Sequence, residues 1–240
     1  MELNSYIDHT NLKNTATKED IKKLCEEAIK YHFASVCIFP CYVQLAKELL
    51  EGSNVQVCTV IGFPLGMNTP AVKVYEAIDA VENGADEIDM VINISALKNK
   101  DYDYVKTEIE EIRDAIDGKV LKVIIETCLL TDEEIVKMTE ICNETYVNFI
   151  KTSTGFSEYG ARLEDIELIN KYRNNILEIK ASGGIKDYET ANQMIEAGAT
   201  RIGTSSGVKI MNNECHCGHN DCHCEHESCQ CEDRSSCEEE

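Results

Sequence analysis

The chain has 240 residues, 43% of them hydrophobic, and a formal net charge of −21. That charge argues against nucleic acid and anionic membrane as partners, because both call for a basic face, and no apolar run approaches the ~20 residues of a membrane helix. Residues 1–6 carry neither the basic start nor the apolar stretch of a signal peptide, so a cytoplasmic location is expected.

Short β-branched runs alternate with helical patterns as far as residue 211. The first run spans 5–9 and contains Asp8. Thr17 then opens a helix as an N-cap, with Glu19 and Asp20 in its first turn. Runs at 35–39 and 55–61 follow, the second ending in Gly62-Phe63-Pro64-Leu65-Gly66. Residues 73–83 place Val74, Ala77, Ile78 and Val81 on one helical stripe that stops at Asn83-Gly84. A fourth run, 87–93, alternates so that Glu87, Asp89, Val91 and Asn93 share a face. The run 121–127 contains Lys122 and Glu126, and Thr131 caps the next helix. Runs at 147–152, 177–181 and 201–204 complete the series, with a helical pattern over 187–197 between the last two. Eight runs at about 28 residues per unit predict a single α/β domain, a (β/α)8 TIM barrel over residues 1–211. An open doubly wound sheet is the alternative, but the chain lacks its G-x-G-x-x-G turn.

The active site of such a barrel lies at the C-terminal ends of the strands. That rule selects Asp8, Cys37, the Gly62–Gly66 loop, Asp89, Asn93, Glu126, Lys151, Lys180, Ser205 and Ser206. Lys151 closes an apolar run and is either a salt-bridged strand end or an amine nucleophile. Lys180 falls on the next strand, close enough for two ammonium groups to repel, which lowers at least one pKa. Spacing alone does not say which of the two lysines reacts. Asp89 is either paired with an inner lysine such as Lys122 or a general acid/base beside a Schiff base. Small-residue loops follow the last three strands, with Gly155, then Gly183-Gly184, then Gly203, Ser205 and Ser206. These loops suit a phosphate held by backbone amides and hydroxyls. The residues therefore point to a lysine-dependent aldolase for a phosphorylated carbonyl compound.

Seven blocks in order resemble the deoxyribose-phosphate aldolase family, from Ile7-Asp8-His9-Thr10 through Phe149-Ile150-Lys151-Thr152-Ser153-Thr154-Gly155-Phe156 and Ile179-Lys180-Ala181-Ser182-Gly183-Gly184 to Arg201-Ile202-Gly203-Thr204-Ser205-Ser206-Gly207. The resemblance implies reversible cleavage of 2-deoxy-D-ribose 5-phosphate to D-glyceraldehyde 3-phosphate and acetaldehyde, in deoxynucleoside breakdown. It implies Lys151 as the Schiff-base residue, Lys180 as the neighbour that tunes it, and Asp89 as proton donor and acceptor through a bound water. It also implies the six glycines and serines as phosphate ligands, and no metal or organic cofactor for catalysis. A Schiff-base aldolase for another sugar phosphate remains the near alternative, and homo-oligomerisation is left open.

Residues 212–240 depart from this pattern. They hold seven of the thirteen cysteines, four histidines and nine acids against one arginine. Cys215, His216, Cys217 and His219 recur with a period of seven as Cys222, His223, Cys224 and His226, then as Cys229 and Cys231, with Cys237 beyond. Interleaved Cys-x-Cys and His are soft-metal ligands, suited to Zn or Cu(I). The segment reads as an acidic tail, disordered or organised by metal, and a metal-binding protein with the barrel as carrier is the second functional class.

Overall fold

The computed structural model describes residues 2–212. Eight parallel strands close into a barrel in the order β1-β2-β3-β4-β5-β6-β7-β8. They are Ile7–Asn11 (β1), Ser35–Ile38 (β2), Gln56–Ile61 (β3), Glu87–Val91 (β4), Val120–Ile124 (β5), Phe149–Lys151 (β6), Glu178–Ser182 (β7) and Arg201–Thr204 (β8). The helices are Lys18–Tyr31 (α1), Val43–Leu49 (α2), Pro70–Glu82 (α3), Ile94–Lys98 (α4), Tyr102–Ala115 (α5), Asp132–Glu144 (α6), Leu163–Tyr172 (α7), Tyr188–Glu196 (α8) and Gly207–Asn212 (α9). Among the described residues, no helix is long and apolar enough to cross a membrane.

Local chemistry explains several boundaries. Thr17 and Asp20 form a reciprocal capping box at α1, and Thr131 and Glu134 form the same box at α6. Helix α3 stops at Asn83, and Gly84 takes a φ of 108°, a left-handed turn that only glycine adopts freely. The stripe read along α3 is partly wrong. Ala77 is buried and Val74 and Val81 pack on the core, but Ile78 is 38% exposed and Lys73 takes an inner position.

Three strand ends also differ from the sequence reading. Residues Leu3–Tyr6 wind into a 3-10 turn, so β1 starts only where Ile7 meets Ile202 of β8 and runs on to Asn11. Asp8 therefore lies within β1 rather than after it. Strand β4 stops at Val91 because Asn93 caps α4, its side chain accepting from the Ala96 amide. Glu126 lies beyond β5 with a φ of 54°, and its carboxylate accepts from the amide and hydroxyl of Thr154.

Two layers of burial result. Between strands and helices lies an aliphatic core of residues such as Ile21, Val36, Ile88, Ile109, Val123 and Ile179. Inside the barrel the picture inverts, since Asp8, Asp89, Lys122 and Lys180 are all fully buried. Ions there cost several kcal/mol each unless paired, and the pairing defines the site.

Candidate active site

Strand register sets the cluster. Asp89 pairs with Lys122 across β4 and β5, and Lys151 pairs with Lys180 across β6 and β7. All three amines converge on one carboxylate. Lys122 Nζ is 2.8 Å from Asp89 Oδ1, while Lys151 Nζ and Lys180 Nζ each lie 2.8 Å from Oδ2. Asp89 is thus paired with Lys122, and the same carboxylate also lies beside Lys151.

Two further carboxylates and an arginine adjoin these lysines. Asp8 sits 2.5 Å from Lys180 and 2.7 Å from Arg201. Glu87 sits 2.5 Å from Lys122 and 3.1 Å from Arg201. Burial alone would raise the Asp89 pKa, but Lys122, Lys151 and Lys180 hold it well below the usual carboxylate range. Burial would likewise pull Lys180 down, but Asp8 and Asp89 hold it above the usual lysine range. Repulsion between two bare lysines therefore misdescribes this neighbour, because Asp89 stands between them.

A cavity of about 870 Å³ opens at the C-terminal ends of the strands. Lys151 lines it; Lys180, Lys122 and Asp89 do not. All six predicted loop residues, Gly155, Gly183, Gly184, Gly203, Ser205 and Ser206, lie on its wall. Cys37 is instead fully buried in a small apolar cluster with Leu12, Cys58 and Val60. Asn93 does not line the cavity. The tail residues named for metal binding lie outside the described residues.

Sequence reasoning missed the local charge of this cavity. Lys13, Lys23, Lys186 and Lys209 line it beside Lys151, against Asp20 and Glu27. The search for a basic run along the chain could not find them, since four different segments supply them. A usable signal was present: Lys186 follows Gly183-Gly184 closely, and Lys209 follows Ser205-Ser206. The chain is strongly acidic overall, yet this cavity favours an anion.

Fold and site together define a (β/α)8 barrel enzyme in which, of three lysines converging on a buried carboxylate, one reaches the cavity. Residues 3–213 match the model of the DeoC/LacD family aldolases. The deoxyribose-phosphate aldolase of Finegoldia magna is 59% identical over 211 residues, which cover 88% of this chain and 99% of that protein. That of Clostridium tetani is 57% identical over 212 residues, covering 88% and 98%. The solved tetrameric deoxyribose phosphate aldolase of Aeropyrum pernix superposes with a TM-score of 0.82 at 34% identity, covering 87% of this chain and 89% of that one. The chain belongs to the DeoC/LacD family of aldolases, carbon–carbon lyases.

Proposed function

We propose that this enzyme cleaves 2-deoxy-D-ribose 5-phosphate reversibly to D-glyceraldehyde 3-phosphate and acetaldehyde through a Schiff base on Lys151. The observation that carries the residue assignment is the exposure of one amine: among the converging lysines, Lys151 alone lines the cavity. Four cationic side chains, Lys122, Lys151, Lys180 and Arg201, meet three carboxylates, Asp8, Glu87 and Asp89. The cluster is electrically balanced when one amine is neutral, and a neutral amine at the cavity surface is the form that attacks a carbonyl.

Lys151 Nζ adds to C1 of the open-chain sugar, and loss of water gives the iminium. An intervening water relays the proton of the C3 hydroxyl to Asp89 as the C2–C3 electrons flow into the iminium, releasing D-glyceraldehyde 3-phosphate and leaving an enamine. Protonation at C2 and hydrolysis by water then free acetaldehyde and the amine. Asp89, held anionic by its three lysines, takes and returns the proton at Lys151 Nζ. Because Asp89 does not line the cavity, its proton traffic with C2 runs through an intervening water. Lys180 keeps its charge and so keeps Asp89 ionised. The amides and hydroxyls at Gly155, Gly183, Gly184, Gly203, Ser205 and Ser206 hold the phosphate, with Lys186 and Lys209 supplying charge. The iminium is the electron sink, so this cleavage draws on no metal.

Cleavage assays test the substrate. Acetaldehyde release from 2-deoxyribose 5-phosphate should exceed that from other sugar phosphates and from free deoxyribose by orders of magnitude; equal rates would contradict the assignment. A homo-oligomer is supported by the tetrameric relative and by the exposed Leu65, Met67, Val72 and Tyr75. Light scattering at the monomer mass would refute it. The tail's ligand pattern supports soft-metal binding separate from catalysis. A chain ending at Met211 should keep its activity and lose Zn or Cu(I) uptake, and loss of activity would contradict the separation.

A further inference from the structure

A second buried ion pair lies outside the barrel, where α3 and α5 pack against β4. Lys73 and Glu108 are both fully buried, with Lys73 Nζ 2.5 Å from Glu108 Oε1. Neither lines the cavity, and the mechanism above uses neither. Such a pair is weak evidence for stability, because an apolar pair of similar volume often serves as well or better. Its other contacts say what it holds. Lys73 Nζ donates to the carbonyl of Val91 at 2.7 Å, and Glu108 Oε2 accepts from the amide of Asn93 at 3.0 Å.

Those two backbone groups flank the point where β4 ends, two residues past Asp89. Asn93 is also the residue whose side chain caps α4. The Ile92 amide between the two groups still donates to Ile124 of β5, but the Val91 carbonyl and the Asn93 amide on either side are held by this one ion pair. The same lysine steadies the loop after β3. Gly62 lies against its aliphatic stem so closely that a Cβ there would come within 2.7 Å of Lys73 Cε. The Gly62 amide also donates to Glu76, one turn further along α3, at 2.7 Å. Phe63, the next residue, packs edge-on against Phe156 beside the cavity. Burial pulls the Lys73 pKa down, opposed by Glu108, and pushes Glu108 up, opposed by Lys73. Each charge depends on the other, so the pair works as a unit.

We propose that Lys73 and Glu108 are positioning residues that fix the C-terminal end of β4, and so set the distance of Asp89 from the Lys151 adduct and from the relay to the substrate carbon. This rests on the aldolase reading of Lys151 and Asp89. A displacement of about 1 Å at a reacting group costs on the order of 10²-fold in rate, so the device needs to move Asp89 only slightly to matter.

The test is the apolar double substitution Lys73→Met/Glu108→Leu in the full chain, which leaves no uncompensated ion in the core. Four quantities are read: the unfolding midpoint, borohydride trapping of acetaldehyde on the protein, exchange of the acetaldehyde methyl protons with deuterated solvent, and kcat with KM. Trapping needs only Lys151 and the carbonyl, whereas methyl exchange also needs the proton relay through Asp89. The expected result is a midpoint at or somewhat below the parent's, because the Val91 carbonyl and the Asn93 amide lose their partners, with trapping and KM within about twofold, and methyl exchange and kcat lowered together by about 10- to 100-fold. Exchange and kcat within twofold of the parent would overturn the inference. So would trapping and exchange falling in parallel with the midpoint, which is the mark of a purely structural pair. A parent enzyme that neither traps nor exchanges acetaldehyde would instead overturn the aldolase reading, and this inference with it.

Discussion

Two buried charge clusters flank β4, and they differ in balance and access. Inside the barrel, four cations meet three carboxylates and one amine, Lys151, reaches the cavity. Outside it, one lysine meets one carboxylate and both are sealed. Burying ions is costly in either place, so burial does not distinguish a catalytic group from a structural one. An uneven count of charges beside an opening leaves a proton for chemistry to move. An even count behind a closed wall leaves only backbone groups to hold.

The largest loss of activity is expected at Lys151. Lys151→Arg keeps the charge and removes the nucleophile, and kcat should fall by about 10⁴-fold or more. Asp89→Asn should lower kcat by about 10²- to 10⁴-fold. It should also cost about 3–5 kcal/mol in denaturant unfolding, because three lysines lose their shared carboxylate. On the sealed side the order of effects reverses. Lys73→Met alone should cost a similar 3–5 kcal/mol by leaving Glu108 unpaired, while trapping of acetaldehyde by the folded fraction persists. Lys186→Ala or Lys209→Ala should raise KM for the phosphorylated sugar by about tenfold and leave free deoxyribose unaffected in steady-state assays.

The smallest effect is in pH, and it separates the clusters by sign. Asp8 and Asp89 have folded pKa values below normal, so their contribution is complete above about pH 4 and is lost as acid is added. Glu108 has a folded pKa above normal, so its contribution is present below about pH 4 and diminishes as pH rises through that value. Relative to the parent, Lys73→Met/Glu108→Leu should therefore gain stability as pH rises above about 4, read from unfolding free energies across that rise. A loss over that interval would contradict the direction given for Glu108.

The strand–helix period and the caps at Thr17 and Thr131 were legible in the chain because each depends on neighbours in sequence. Lys151, Lys180 and Asp89 fell to a positional rule of the barrel, and the six loop residues to the small-residue turns after the last three strands. What escaped depends on distant partners. Arg201 reaches Asp8 across 193 residues. The Asn93 amide, two residues past the end of β4, goes to Glu108 on α5. Lys73 sits inside a helix whose apolar stripe looked complete without it. No periodicity marks a lysine that faces inward to meet a carboxylate 35 residues away.

Of the buried amines inside the barrel, Lys151 alone lines the cavity. Incubation with acetaldehyde, reduction with borohydride and peptide mapping test it directly. The expected product is a single reduced ethyl adduct on Lys151, absent from Lys151→Arg. An adduct on Lys180 or Lys122, or none at all, would contradict it.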